Sequence, residues 1–148
     1  MSKMTSKVTW VSGLRFIAGS GSGHGAIMDG SQTSSPTEVL GPSPMEMVLM
    51  GLGGCSGIDV MHILGRMRQT VTGCKVELEG ERAEESPRVY KKIHLIYTIS
   101  GNNLSQQRVE EAVRLSNEKY CSVSVMLNAS VELTREVKII QDPVVNLG

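Results

Sequence analysis

The 148-residue, 16.0 kDa chain has the length of one domain and can bury a core without a disulfide or metal staple. Its 40% hydrophobic content excludes a disordered chain, and 15 Lys+Arg against 15 Asp+Glu leave no net charge to drive binding to nucleic acid or an anionic membrane surface. Aromatics are only 3%, too few for a base-stacking platform, so the expected core is aliphatic with nine Met as flexible filler.

Residues 7–18 (KVTWVSGLRFIA) are rich in β-branched and aromatic residues and predict one strand. Gly19 to Gly25 (GSGSGHG) is a turn, and Ala26 to Asp29 is a short strand completing a hairpin. The Gly-rich turn is not read as a phosphate loop, because no helix follows it and it lacks the G-x-x-x-x-G-K-[ST] pattern. Residues 30–42 are a polar loop. Ser43-Pro44-Met45-Glu46 then opens a helix: Ser43 caps, Pro44 suits the first position, and Glu46 completes an S-x-x-E capping box. The helix runs to about Arg68. Its interior glycines, Gly51, Gly53, Gly54 and Gly57, each cost roughly 1 kcal/mol against Ala. They predict either close approach of a second helix or a break. Cys74, Val76 and Leu78 alternate with Lys75, Glu77 and Glu79, and Ile93, Leu95, Tyr97 and Ile99 form a second alternating strand. A turn at Ser86-Pro87 makes these two an antiparallel pair. Residues 105–118 read as a helix with Val109, Ala112 and Val113 on one side, and residues 121–128 as another with Ser122 as its cap. Val131 and Leu133 begin a last strand. The order β-β-α-β-β-α-α-β predicts an α+β fold, one domain over residues 1–148.

The N-terminal segment lacks an apolar signal core. The longest uncharged apolar stretch, Met47 to Ile58, is about a dozen residues where a membrane span needs roughly 20. The expectation is a soluble, cytoplasmic protein with no membrane and no nucleic-acid partner. Three cysteines without a CxxC pair read as thiols in a reducing compartment. Cys74 is expected in the core. Cys55, Asp59 and His62 stand at i, i+4 and i+7, within about 40–60° of one another on a helix. A His near a thiol can activate it. The same three can ligate a soft metal, or Asp59 and His62 can simply be an i,i+3 pair near a surface. Spacing leaves these alternatives open.

The block GPSPMEMVLMGLGGCSGIDVMHIL (residues 41–64), the block EKYCSVSVML (residues 118–127), the strand with Trp10 and the Met28-Asp29-Gly30 turn together resemble the OsmC/Ohr family. These are the osmotically induced and organic-hydroperoxide-resistance proteins, and the likeness is nearest to their short YhfA-like bacterial branch. It covers almost the whole chain. The resemblance implies an α+β fold in which antiparallel sheets wrap around long central helices in an intertwined homodimer. It implies that Cys55 is the peroxidatic nucleophile for an organic hydroperoxide, a task that needs the thiolate. The resulting sulfenic acid condenses with Cys121 to a disulfide, and the helix starting at Cys121 is expected to favour its thiolate. A dithiol, lipoylated in some relatives, is the implied reductant, with no cofactor and no resident metal. Apolar neighbours Met47, Met50, Leu52 and Ile58 suit an alkyl hydroperoxide.

In the peroxidase members a Glu and an Arg support the thiolate. Glu46 stands one residue later than that Glu, and one residue turns a helix by about 100°. It is therefore read first as a cap and second as a catalytic group. Arg15 is the only Arg before the central helix, in a context (SGLRF) unlike the peroxidase pattern. Asp59 and His62 are read as supporting residues. The alternative reading is a redox-sensing or small-molecule-binding dimer without turnover.

Overall fold

A computed structural model describes residues 3–33 and 35–144. Met1 and Ser2 of the segment read for a targeting signal, Ser34 of the polar loop, and residues 145–148 lie outside the described residues. The chain divides into two compact units, Met1–Val48 and Leu49–Gly148.

The first unit carries a three-stranded sheet in the order β1-β2-β3. Its expected single first strand is in fact two, β1 (Ser6–Ser12) and β2 (Arg15–Ser20). Gly13, at φ +51°, turns the chain between them, a conformation that glycine adopts without a Cβ clash. The β-rich composition gave no hint of that break; only Gly13 did. Trp10 closes the turn by donating its Nε1–H to the Gly13 carbonyl at 2.9 Å. β3 (Gly25–Asp29) pairs antiparallel with β2, from Gly19 opposite Gly25 to Arg15 opposite Asp29. The polar loop contains a short 3-10 turn, Pro36–Glu38. It returns to β3 at Gly41, where an added Cβ would collide with the Ile27 carbonyl.

Helix α1 (Pro44–Arg66) starts as predicted. The Ser43 N–H donates to Glu46 Oε1 at 3.1 Å and the Glu46 N–H donates to Ser43 Oγ at 3.1 Å, the reciprocal capping box. The helix ends in a left-handed residue, Arg68 at φ +59°. The N–H groups of Gln69 and Arg68 return to the carbonyls of Leu64 and Gly65.

In the second unit α1 is continuous through its glycines. A Cβ on Gly53 would stand 2.7 Å from Leu78 Cδ1, and one on Gly57 would stand 3.6 Å from Val76 Cγ2. The close neighbour of these two glycines is therefore a strand, β4 (Thr70–Arg82), and not a second helix, whereas a Cβ on Gly51 or Gly54 would meet nothing within 4 Å. β4 pairs antiparallel with β5 (Tyr90–Asn102) over its length. The chain then forms α2 (Gln106–Leu115), a π-helical turn at Ser116–Tyr120, and α3 (Ser122–Leu127). β6 (Glu132–Gln141) follows and runs parallel to β5, so this sheet is mixed. A parallel partner needs a crossover, and the helical segments supply it. The predicted alternation of β5 holds: Ile93, Leu95, Tyr97 and Ile99 are fully buried. Facing them, the i,i+4 stripe Leu52, Ser56, Val60 and Leu64 of α1 is also fully buried. The molecule is thus α+β, with two small sheets and their helices.

At 23 residues, α1 is long and apolar enough to cross a membrane by length and composition, although the sequence offered only a dozen uncharged positions. One of its stripes instead forms the core of the second unit.

Candidate active site

The buried stripe of α1 contains one polar residue, Ser56, and buried polar groups need partners. Ser56 Oγ hydrogen-bonds Tyr97 Oη at 2.5 Å and Ser116 Oγ at 2.9 Å. Asn117 Nδ2 donates to Tyr97 Oη at 2.8 Å and to the Val113 carbonyl at 2.9 Å. Ser124 Oγ donates to Asn117 Oδ1 at 3.4 Å. This network joins α1, β5, the π-turn and α3 beneath the two cysteines of interest. Sequence reasoning did not single out Ser56, Tyr97, Ser116, Asn117 or Ser124. The available signal was a serine at a core position of the helix and a tyrosine on the buried side of a strand.

Cys55 and Asp59 lie one residue before Ser56 and Val60, at the half-buried margin of the stripe. Cys121 approaches from the other side and is fully buried. The π-turn sets its position: the Cys121 N–H donates to the Ser116 carbonyl at 2.7 Å. Glu118 braces the turn through Arg114 at 2.8 Å and Arg135 at 3.1 Å. The Sγ atoms of Cys55 and Cys121 and a carboxylate oxygen of Asp59 all lie within 4.8 Å of one another. The sequence pairing of Cys55 with Asp59 is realised, and the structure brings Cys121 to them.

Cys121 itself, and not Ser122, caps α3: its Sγ accepts the Ser124 N–H at 3.3 Å. The helix terminus was expected to favour a thiolate there. Burial outweighs it and pushes the thiol pKa up, opposed by the Ser124 hydrogen bond; the hydrogen bond to Cys55 pushes it up further.

Asp59 Oδ2 is buried and has no hydrogen-bond partner among the described residues. Asp59 and His62 also border a cavity of about 430 Å³ walled by Ile63, Arg66, Leu115 and Tyr120. His62 therefore stands a turn beyond the thiols and outside their cluster.

The remaining predicted residues lie in the first unit and have local partners. Arg15 donates Nε–H to Asp29 Oδ2 at 2.9 Å and Nη2–H to the Glu38 carbonyl at 2.8 Å. Asp29 also accepts the N–H groups of Ser31 and Leu40. Its carboxyl is held far below the usual range, first by Ser31, then by the Leu40 N–H, with Arg15 adding a smaller share. Glu46 is engaged in the capping box. Cys74 departs from the core expectation: it is exposed. It borders an apolar groove between β4 and α1, where Gly54 offers no side chain to cover it.

A family model described as OsmC-like protein matches residues 34–136. The chain belongs to the OsmC-like family. Among relatives of this OsmC-like protein, YhfA of Escherichia coli K12 is 46% identical over 137 residues, covering 93% of this chain and 98% of that one. A crystal structure of a hypothetical protein from Aquifex aeolicus superposes with a TM-score of 0.85 at 31% identity, covering 97% of this chain and all of that one. The organic hydroperoxide resistance protein OhrB of Bacillus subtilis shares the fold, with a TM-score of 0.64 at 20% identity over 90% of this chain and 98% of its own.

Proposed function

We propose that this OsmC-like protein is a thiol-dependent peroxidase that reduces organic hydroperoxides through Cys55 and Cys121. The observation that carries the reading is the proximity of the two sulfurs, with Asp59 beside them, within 4.8 Å. The Cys55 thiolate attacks one oxygen of ROOH and the O–O bond breaks. The leaving alkoxide takes a proton and departs as ROH, while Cys55 becomes a sulfenic acid. The Cys121 sulfur then displaces the sulfenic oxygen as water, forming a disulfide. A dithiol restores both thiols by exchange and is itself oxidised to a disulfide. Cys121, whose thiol pKa is pushed up by burial, gives up its proton in this second step. The cavity beside Asp59 and His62 offers Ile63 and Leu115 to an organic tail. The proposal places these two residues at the edge of the substrate, with no cofactor.

The same reading takes the chain as one OsmC-like domain working as a homodimer in the cytoplasm, with neither membrane nor nucleic acid as partner. A second reading, a redox-sensing or binding dimer without turnover, draws on the local engagement of Arg15 and Glu46. It predicts stoichiometric oxidation but no sustained peroxide consumption with any dithiol.

One equivalent of cumene hydroperoxide added to the reduced protein, followed by non-reducing peptide mass analysis, tests the chemistry. The expected result is a loss of about 2 Da mapped to a Cys55–Cys121 link. Thiols that stay free while a control thiol peroxidase reacts would overturn the proposal.

A further inference from the structure

Two thiols and a carboxylate converging from different elements have the donor chemistry of a borderline-soft cation. In a tetrahedral zinc site the bonds are about 2.3 Å to sulfur and 2.0–2.2 Å to oxygen, which separates the donors by roughly 3.5–4 Å. The donor atoms of Cys55, Asp59 and Cys121 already lie within 4.8 Å of one another. An ion would require any pair at that limit to close by about 1 Å. The second observation is the buried Asp59 Oδ2 without a hydrogen-bond partner among the described residues. A buried acceptor left unmet is costly, and a cation meets it. Cys55 and Asp59 are only half-buried, which gives an ion a route in.

We propose that Cys55, Asp59 and Cys121 form a reversible Zn²⁺ site whose occupancy blocks chemistry at Cys55. Of the three residues that helical spacing suggested as ligands, His62 is replaced by Cys121. Binding is an exchange without redox change: two thiols lose their protons to solvent, two Zn–S bonds form, and the Asp59 carboxylate supplies the third. A zinc-bound Cys55 sulfur is withheld from electrophiles. A Cys55–Cys121 disulfide has no thiolate left to bind zinc, so metal and oxidation exclude each other. Binding stands independently of the peroxidase reading; only its consequence for peroxide turnover rests on that reading.

The test uses the reduced full-length chain, without a histidine tag and without oxygen, titrated with Zn²⁺ against a chromophoric indicator. One Zn²⁺ per chain is expected. Co²⁺ in its place should give the near-ultraviolet thiolate-to-metal absorption of two sulfur ligands, a readout on the wild-type fold itself. Zn²⁺ should also protect Cys55 from iodoacetamide, followed by peptide mass analysis; this needs no peroxide and is unaffected if the peroxidase reading fails. Cys121→Ser and Asp59→Asn should each weaken Zn²⁺ binding by about tenfold or more. Cys74→Ser should leave it unchanged. Absent stoichiometric binding, a cobalt spectrum lacking the thiolate band, or equal affinity in Cys121→Ser would overturn the site.

Discussion

The two units bury their apolar residues very differently. In the second, β5 alternates cleanly and its inward residues, with the Leu52–Leu64 stripe of α1, are fully buried. In the first, all seven residues of β1 are exposed, and Trp10, Leu14 and Ile17 are 62%, 59% and 51% accessible. A sheet normally buries one side against another layer. The second unit contains that layer; the first does not contain it among its described residues. The difference also divides the roles. The proposed sulfur chemistry belongs to a unit with its own closed core, while the unit with Arg15 and the capping box leaves its apolar strand residues exposed.

Changes in each unit sharpen or break that contrast. Cys55→Ser should lower hydroperoxide consumption, followed by ferric-xylenol orange, by at least about a hundredfold, because the nucleophile itself is gone. Arg15→Met should lower it less than about tenfold if Arg15 only holds Asp29. A larger loss would bring the first unit into the chemistry. Gly101→Ala and Gly41→Ala place a methyl against the carbonyls of Thr70 and Ile27, one in each unit. Each should cost roughly 1–3 kcal/mol or more. Urea unfolding then separates two outcomes. A shared shift of one transition means that the units unfold together; an early transition in Gly41→Ala alone means that the first unit is separately fragile. Tyr97→Phe removes a hydroxyl bonded to Ser56 and Asn117 and should cost roughly 1–2 kcal/mol in the same assay.

Base should act on the second unit, whereas acid should act on both, because Arg114 also lowers the carboxyl pKa values of Glu111 and Glu118 there. The Asp29 pKa is depressed, so its contribution to stability is present above about pH 4 and lost as pH falls through the folded value. Those of Cys121 and Tyr97 are raised by burial, so their contributions are present below about pH 8.5 and 10 respectively and lost as pH rises. Asp29→Asn should make the acid limb of a Tm-against-pH profile shallower and leave the alkaline limb in place. The smallest effect is expected from Ser43→Ala, about 1 kcal/mol for the cap of α1 by urea unfolding.

Local signals in the sequence were enough for the capping box, the length of α1 and the alternation of β5, because each rests on residues close in the chain. The parallel pairing of β6 and the sulfur cap at Cys121 were not legible. Both depend on where the crossover returns the chain, which spacing does not encode. At the site, Asp59 followed from helical spacing with Cys55, whereas Cys121 entered through family likeness. Ser56 and Tyr97 were hidden because a small hydroxyl and a tyrosine read as ordinary members of an apolar pattern until their partners are known. The expectation for the Cys121 thiolate failed on a balance of two effects: the helix start was foreseen, and the depth of burial was not.

The position of Cys121 has a thermodynamic consequence for the whole second unit. The chain between Cys55 and Cys121 contains β4, β5 and α2, so a bond between the sulfurs would close a loop of some sixty-odd residues around most of that unit's core. Closing a loop of that size removes unfolded-state entropy worth about 4 kcal/mol in the chain-entropy model. Oxidation by a substrate would then also act as a clasp, making the spent form of the protein harder to unfold than the form ready to react.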